Sequence, residues 1–149
     1  MKFVIIEPAF ELARTFHTDD ILEGAEREAG LEPGHVDHGT LRRCGKGGPG
    51  LCYVVYDYGL MDDTVQHWLS IGQLLIAGNA VFYSFDDEGE TVDVDWREVP
   101  PVKYYHSKDE VEAAIARGDI TRPATRIGTS DKGIPDQMET IWEWNRPRR

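Results

Sequence analysis

The sequence predicts an α+β fold, a single domain on a mainly antiparallel mixed sheet of about six short strands with two or three short helices. Short apolar, β-branched and aromatic runs recur along the chain, as at Phe3–Ile6 and Cys52–Tyr56. Helix punctuation (a capping residue, an apolar stripe, a stopping glycine) occurs at residues 18–30 and again at 107–118. Strand and helix signals are interleaved irregularly, which suits an α+β arrangement.

Taken in order, Phe3–Ile6 reads as a first buried strand ended by Pro8, and Phe10–Phe16 as a second extended piece. Thr18 or Asp19 caps a helix whose stripe is Ile21, Leu22, Ala25 and Ala29 and whose stop is Gly30. Val36–Cys44 and Leu51–Tyr58 form a hairpin across the glycine-rich residues 45–50. Asp62 or Asp63 caps a short helix through Val65, Trp68 and Leu69. Leu74–Tyr83, the most hydrophobic stretch, reads as one central strand bent at Gly78. Asp86–Glu90 is a tight acidic turn. Thr91–Trp96 alternates, with Val92, Val94 and Trp96 inward and Asp93 and Asp95 outward. After Pro100 and Pro101, Val102–Tyr105 forms a short edge strand. Ser107 and Glu110 make a capping box for a helix through Arg117, stopped by Gly118. Residues 1–118 are therefore expected to form the core domain. Residues 119–149 form a loop-rich extension whose Trp142 and Trp144 point to a docking role.

The chain has 149 residues, enough to bury roughly 68–70% of its unfolded surface without covalent staples. Its net charge is -11, from 16 basic and 27 acidic residues. Three of the cations sit in the last four residues, so the remainder carries 13 basic against 27 acidic residues, a balance of -14. Such a body repels phosphate backbones and attracts basic protein surfaces, so no direct nucleic-acid binding is expected. Two cysteines are too few for a secreted disulfide scaffold, and no apolar stretch is long enough to span a membrane. The expected compartment is the cytoplasm, with reduced thiols.

The stretch from Arg42 to Cys52 holds Arg42, Arg43, Lys46, both cysteines and four glycines. Its Gly-Lys lacks a following hydroxyl, and its Gly-x-Gly-x-x-Gly string precedes a strand, so the helix N-terminus that makes a phosphate cradle is missing. Arg42, Arg43 and Lys46 remain candidate contacts for a small anionic ligand. His35, His38, Cys44 and Cys52 are ligand types zinc accepts, but their spacing does not match a zinc knuckle. The two cysteines are expected to be neighbours across the hairpin, and nearby arginines would lower the Cys44 thiol pKa. No cofactor or metal is called for. The carboxylates Asp62, Asp63, Asp86, Asp87, Glu88, Asp93 and Asp95 each have a capping, turn or outward-strand explanation. Together they suggest an acidic array that imitates DNA.

The N-terminal Met-x-Phe-Val-Ile-Ile-Glu-Pro, the helix after residue 18, the glycine-separated strand pair and Leu74–Phe82 before an acidic turn are similar to a domain-of-unknown-function family of small phage- and plasmid-encoded proteins, over about residues 1–95. The resemblance implies a mobile-element setting and a small α/β fold, and supplies no catalytic residues. The basic loop is longer than that family's pattern. The leading functional expectation is a non-enzymatic accessory protein that binds a basic host protein through its acidic surface, as a DNA mimic would. The alternatives are a small-ligand or nucleotide binder using the basic hairpin loop, and a small enzyme of unknown class with no residue assigned to catalysis.

Overall fold

The N-terminal apolar run forms β1 (Lys2–Glu7), whose four inner residues are all buried, in a computed structural model that describes residues 1–45 and 48–123. Pro8 ends it by opening a 3-10 turn, Pro8–Phe10. The chain reverses at Glu11, whose φ of 50° is the one positive value at a non-glycine among the described residues. It returns antiparallel as β2 (Leu12–His17), with Phe3 opposite Phe16. Helix α1 (Ile21–Ala29) is capped by Asp20 rather than Thr18 or Asp19; its carboxylate accepts from the backbone N–H of Leu22 and Glu23. Gly30 ends it in the left-handed region, its N–H donating to Glu26 O. Arg14 ties these pieces together. Its guanidinium donates to Glu7 at 2.9 Å and to Glu28 of α1 at 2.8 Å.

The hairpin forms as expected, from β3 (Val36–Arg42) and β4 (Gly50–Tyr56). The hydrophobic stretch 74–83 does not form one strand. It divides at Gly78 (φ 81°) and Asn79 into β6 (Leu74–Ala77) and β7 (Ala80–Phe85), which belong to different sheets. β7 lies between β1 and β4, giving a first sheet in the order β2-β1-β7-β4-β3. β8 (Thr91–Val92) pairs with the end of β7. The alternating strand expected through Trp96 stops there. Val94 is buried and its N–H reaches Lys2 O, but a 3-10 turn at Trp96–Glu98 follows, and Trp96 is 57% exposed rather than inward.

The expected helix through Val65, Trp68 and Leu69 is also absent. Asp62 closes a turn by accepting from the backbone N–H and hydroxyl of Thr64, and the apolar residues form β5 (Trp68–Ile71). Buried on both faces, a strand shows no alternation, and a run of adjacent apolar residues reads equally well as a helix. β5 is paired with β6 and with the edge strand β9 (Val102–Tyr105). β10 (Arg122–Pro123) completes a second sheet, β10-β6-β5-β9.

Strand alternation divides the faces of this second sheet between two cores. Leu69, Ile71 and Ile76 join the core that includes β1, β4, β7 and α1. Trp68, Leu75, Ala77 and Tyr105 join Val111 and Ala114 of helix α2 (Lys108–Ala116). Ser107 caps α2 through the N–H of Glu110, as the sequence implies. Ile120, 4% exposed, belongs to the second core, so packing continues past Gly118. The expectations for Trp142, Trp144 and the remainder of residues 124–149 lie outside the described residues. No helix among the described residues is long and apolar enough to cross a membrane.

Candidate functional site

Register decides which candidate residues meet. Gly50 of β4 lies opposite Phe85 of β7, so the β3–β4 tip sits beside the acidic β7–β8 turn. Cys44 Sγ donates to Asp87 Oδ1 at 2.9 Å, joining the two tips. Arg42 Nε donates to Pro49 O at 3.0 Å, and Arg43 is exposed. Lys46 lies outside the described residues. The basic and acidic loops are thus neighbours, an arrangement sequence separation conceals.

The carboxylates at this end have different roles. Asp86 Oδ1 accepts from the N–H groups of Glu88 and Glu90, each at 2.9 Å, and so shapes the turn. Asp93 Oδ1 accepts from Lys2 N at 2.8 Å, and Asp95 Oδ1 from Arg97 N at 3.0 Å. Asp87, Glu88, Glu90 and Asp93 are exposed. Among the described residues, none of Asp86, Asp87, Glu88, Glu90 and Asp93 is in an ion pair. Asp62 and Asp63 do not join them. They follow the C-terminal end of β4, with Asp62 beside Tyr56 and Asp63 Oδ1 3.3 Å from Lys108 Nζ. At about 3.3 Å per residue, β4 holds that end roughly 20 Å from Gly50.

The cysteines are not opposite each other. Cys52 faces Thr40, with Sγ 3.6 Å from Oγ1, while a register shift between Thr40 and Arg42 and the long tip carry Cys44 to Asp87. The thiol of Cys44 is pushed up, not down: it donates to the Asp87 carboxylate, and burial adds to the effect. A raised thiol is a poor nucleophile at neutral pH. His35 sits 3.8 Å from Glu32 near the far end of β4, and His38 Nδ1 is 3.5 Å from the Tyr83 hydroxyl. Among the described residues no three His, Cys, Asp or Glu side chains close around a common point.

Two features carry no local sequence signal. A cleft of about 470 Å³ opens where α1 ends, lined by Leu31, Glu32, His35, Tyr56 and Asn79 among others. Asn79 Nδ2 donates to Ala29 O at 3.1 Å, which fixes the wall formed by the sheet-to-sheet link. The Tyr56 hydroxyl is held protonated by burial first and by the charge of Asp62 second.

The other feature is a histidine pair. Trp68 lies opposite Tyr105 in the last β5–β9 pair, so the next step brings His67 opposite His106. Their Nδ1 atoms are 3.0 Å apart. His106 Nε2 lies 3.2 Å from Glu11 Oε2, at the strained reversal between β1 and β2. The pair therefore sits where the rows Ile71–Leu69 and Val102–Tyr104 run out of the core between the sheets. Sequence alone cannot bring these three residues together, because it does not give the β5–β9 register or the approach of the two sheets. Searches with protein-family models, among curated proteins and among solved structures find no match to this chain.

Proposed function

We propose that this chain is a non-enzymatic binding protein whose acidic sheet end engages a basic protein surface, in the manner of a DNA mimic. One observation supports the reading: Asp86, Asp87, Glu88, Glu90 and Asp93 gather at a single sheet end without a Lys or Arg ion-pair partner among the described residues. These five carboxylates outnumber Arg42 and Arg43 on the neighbouring hairpin tip, and the negative excess at this end raises the local potential and speeds encounter with a cation-rich partner. In the mobile-element setting that the family resemblance implies, that partner is a DNA-binding protein of the host. The test is capture from a bacterial lysate at low and high salt. The wild-type chain is compared with a variant carrying Asp87→Asn, Glu88→Gln, Glu90→Gln and Asp93→Asn. A partner retained at low salt, released at high salt, displaced by DNA and lost from the variant supports the reading. Equal retention by both chains removes it.

A second reading, small-ligand binding, is supported by the cleft between α1 and β4. It transfers the ligand role from Arg42, Arg43 and Lys46 to His35, Tyr56 and Asn79, since the cleft lies at the Tyr56 end of β4 and the basic loop at the Gly50 end. A ligand found by thermal-shift screening should lose its effect on His35→Ala or Tyr56→Phe. It should keep it when the three cations are changed to Ala; the reverse pattern would return the site to the loop.

A further inference from the structure

We propose that His67 and His106, backed by Glu11, form a seat for a late first-row divalent cation of the copper(II) or nickel(II) class.

The first argument is the tautomer. A carboxylate only accepts hydrogen bonds, so the contact between His106 Nε2 and Glu11 Oε2 puts the His106 proton on Nε2. The Nδ1 lone pair of His106 is then directed at His67. A carboxylate that holds one ring nitrogen of a histidine so that the other is free to ligate is the usual outer support of a metal-bound imidazole. In the metal-free protein His67 Nδ1–H donates into that lone pair, which accounts for the 3.0 Å separation. To bind a cation, His67 carries its proton on Nε2 instead. That exchange runs through solvent and releases no net proton.

The second argument is the bite. With metal–nitrogen distances of about 2.0–2.1 Å, two nitrogens 3.0 Å apart subtend roughly 91–97° at the ion. That is near the right angle of square-planar and octahedral sites and below the tetrahedral angle that structural zinc prefers. The rings stand at 71° to one another with centroids 5.3 Å apart, so the two nitrogens now point almost straight at each other, and each ring must turn by roughly 40–45° to aim at a shared ion. Two carboxylates lie against the pair: Glu11 on His106 Nε2, and Glu110, whose Oε2 accepts from the His106 backbone N–H. Both favour a cation. Only two protein ligands are supplied, so water completes the coordination, and an affinity in the micromolar range is expected.

The placement gives the seat a function. His67 and His106 belong to the second sheet and Glu11 to the turn joining β1 and β2 of the first, so an ion on His106 Nδ1 makes the Nε2–H a stronger donor and tightens the His106–Glu11 hydrogen bond that links the two sheets at the rim of their shared core.

The experiment uses the full chain. Copper(II) is titrated by calorimetry and by electron paramagnetic resonance, with nickel(II), zinc(II) and magnesium(II) in parallel. The chain has five histidines, so His17→Ala, at an exposed position assigned to no site, serves as a control for adventitious surface binding. The expected result is one copper ion per chain with two imidazole nitrogens in its spectrum. Affinity should fall at least tenfold in His67→Gln and in His106→Gln, about tenfold in Glu11→Gln, and not at all in His17→Ala. Melting of each metal-free variant checks that it folds. The nitrogen count on the unaltered chain stands even where a variant does not fold. A spectrum with fewer than two nitrogens overturns the proposal. So does equal loss in His17→Ala, or magnesium binding as tight as copper.

Discussion

Trp68 allows two opposing energies to be compared at one site. Its indole is 1% exposed, between Ala77 and Tyr105 in the second sheet, and its Nε1–H has no hydrogen-bond partner among the described residues. A buried donor without a partner costs about 1–3 kcal/mol. Trp68→Phe removes that donor but shrinks the ring by roughly 40 Å³. At about 24 cal/mol per Å³ of cavity the shrinkage costs ~1 kcal/mol, and lost transfer energy adds a similar amount. The two effects nearly cancel, so Trp68→Phe should lie within about 1 kcal/mol of the parent protein. Trp68→Ala has no such compensation and should cost about 3–5 kcal/mol. Urea unfolding followed by far-ultraviolet circular dichroism at 25 °C measures both. For a chain of this size the melting shifts would be no more than about 4 °C and roughly 6–20 °C respectively. If Trp68→Phe costs more than about 3 kcal/mol, the indole N–H is satisfied in the folded protein and the reasoning fails.

Other outcomes follow from contacts described above. A Cβ on Gly39 would clash with the far end of the Tyr53 ring, which is only 7% exposed and must shift to make room; Gly39→Ala should lower the urea midpoint by the equivalent of about 1–3 kcal/mol. The Arg14 guanidinium, and secondarily Arg27, hold the Glu28 carboxyl below its ordinary value of 4.5. A depressed folded-state pKa contributes stability above the unfolded value and loses it as pH falls through the folded one. The difference in midpoint between the parent and Arg14→Gln should therefore be present at pH 7 and shrink as pH drops below about 4.5. Because the hydrogen bond to Asp87 raises the Cys44 thiol, Asp87→Asn should speed its alkylation by iodoacetamide at pH 8. An unchanged rate would detach the two hairpin tips from each other.

The parts of the fold readable in sequence were those governed by local chemistry. Pro8, Gly30, Ser107 and Gly118 mark boundaries through backbone constraints that act within a few residues, and the structure keeps them. The misreadings share one cause. Trp68–Ile71 and Leu74–Phe85 are so thoroughly buried that neither alternation nor helical periodicity survives in them, so Trp68–Ile71 read as helix, and Leu74–Tyr83, rightly read as strand bent at Gly78, gave no sign that its two halves join different sheets. Trp96 looked like the third inward residue of a strand, but the pairing ended at Val92, a limit set by β7 rather than by residues 93–96. For the site, the acidic turn was visible as composition, whereas its contact with Cys44 required the β4–β7 register. The set Glu11, His67 and His106 depends on one register and on two sheets meeting, and it left no trace in any local window.

The position of β7 has a kinetic consequence. The strand that completes the first sheet is drawn from the middle of the chain, and it pairs on one side with β1 at the N-terminus, where Val4 meets Phe82. During synthesis β1, β2, β3 and β4 emerge early, but β1 and β4 have no shared neighbour until residues 80–85 follow them. Until then the apolar faces of β1 and β4 wait on a long loop closure. Such non-local pairing slows folding and prolongs exposure of strand edges. Substitutions that weaken β7 should therefore lower soluble yield more than they lower the melting temperature of the protein that does fold.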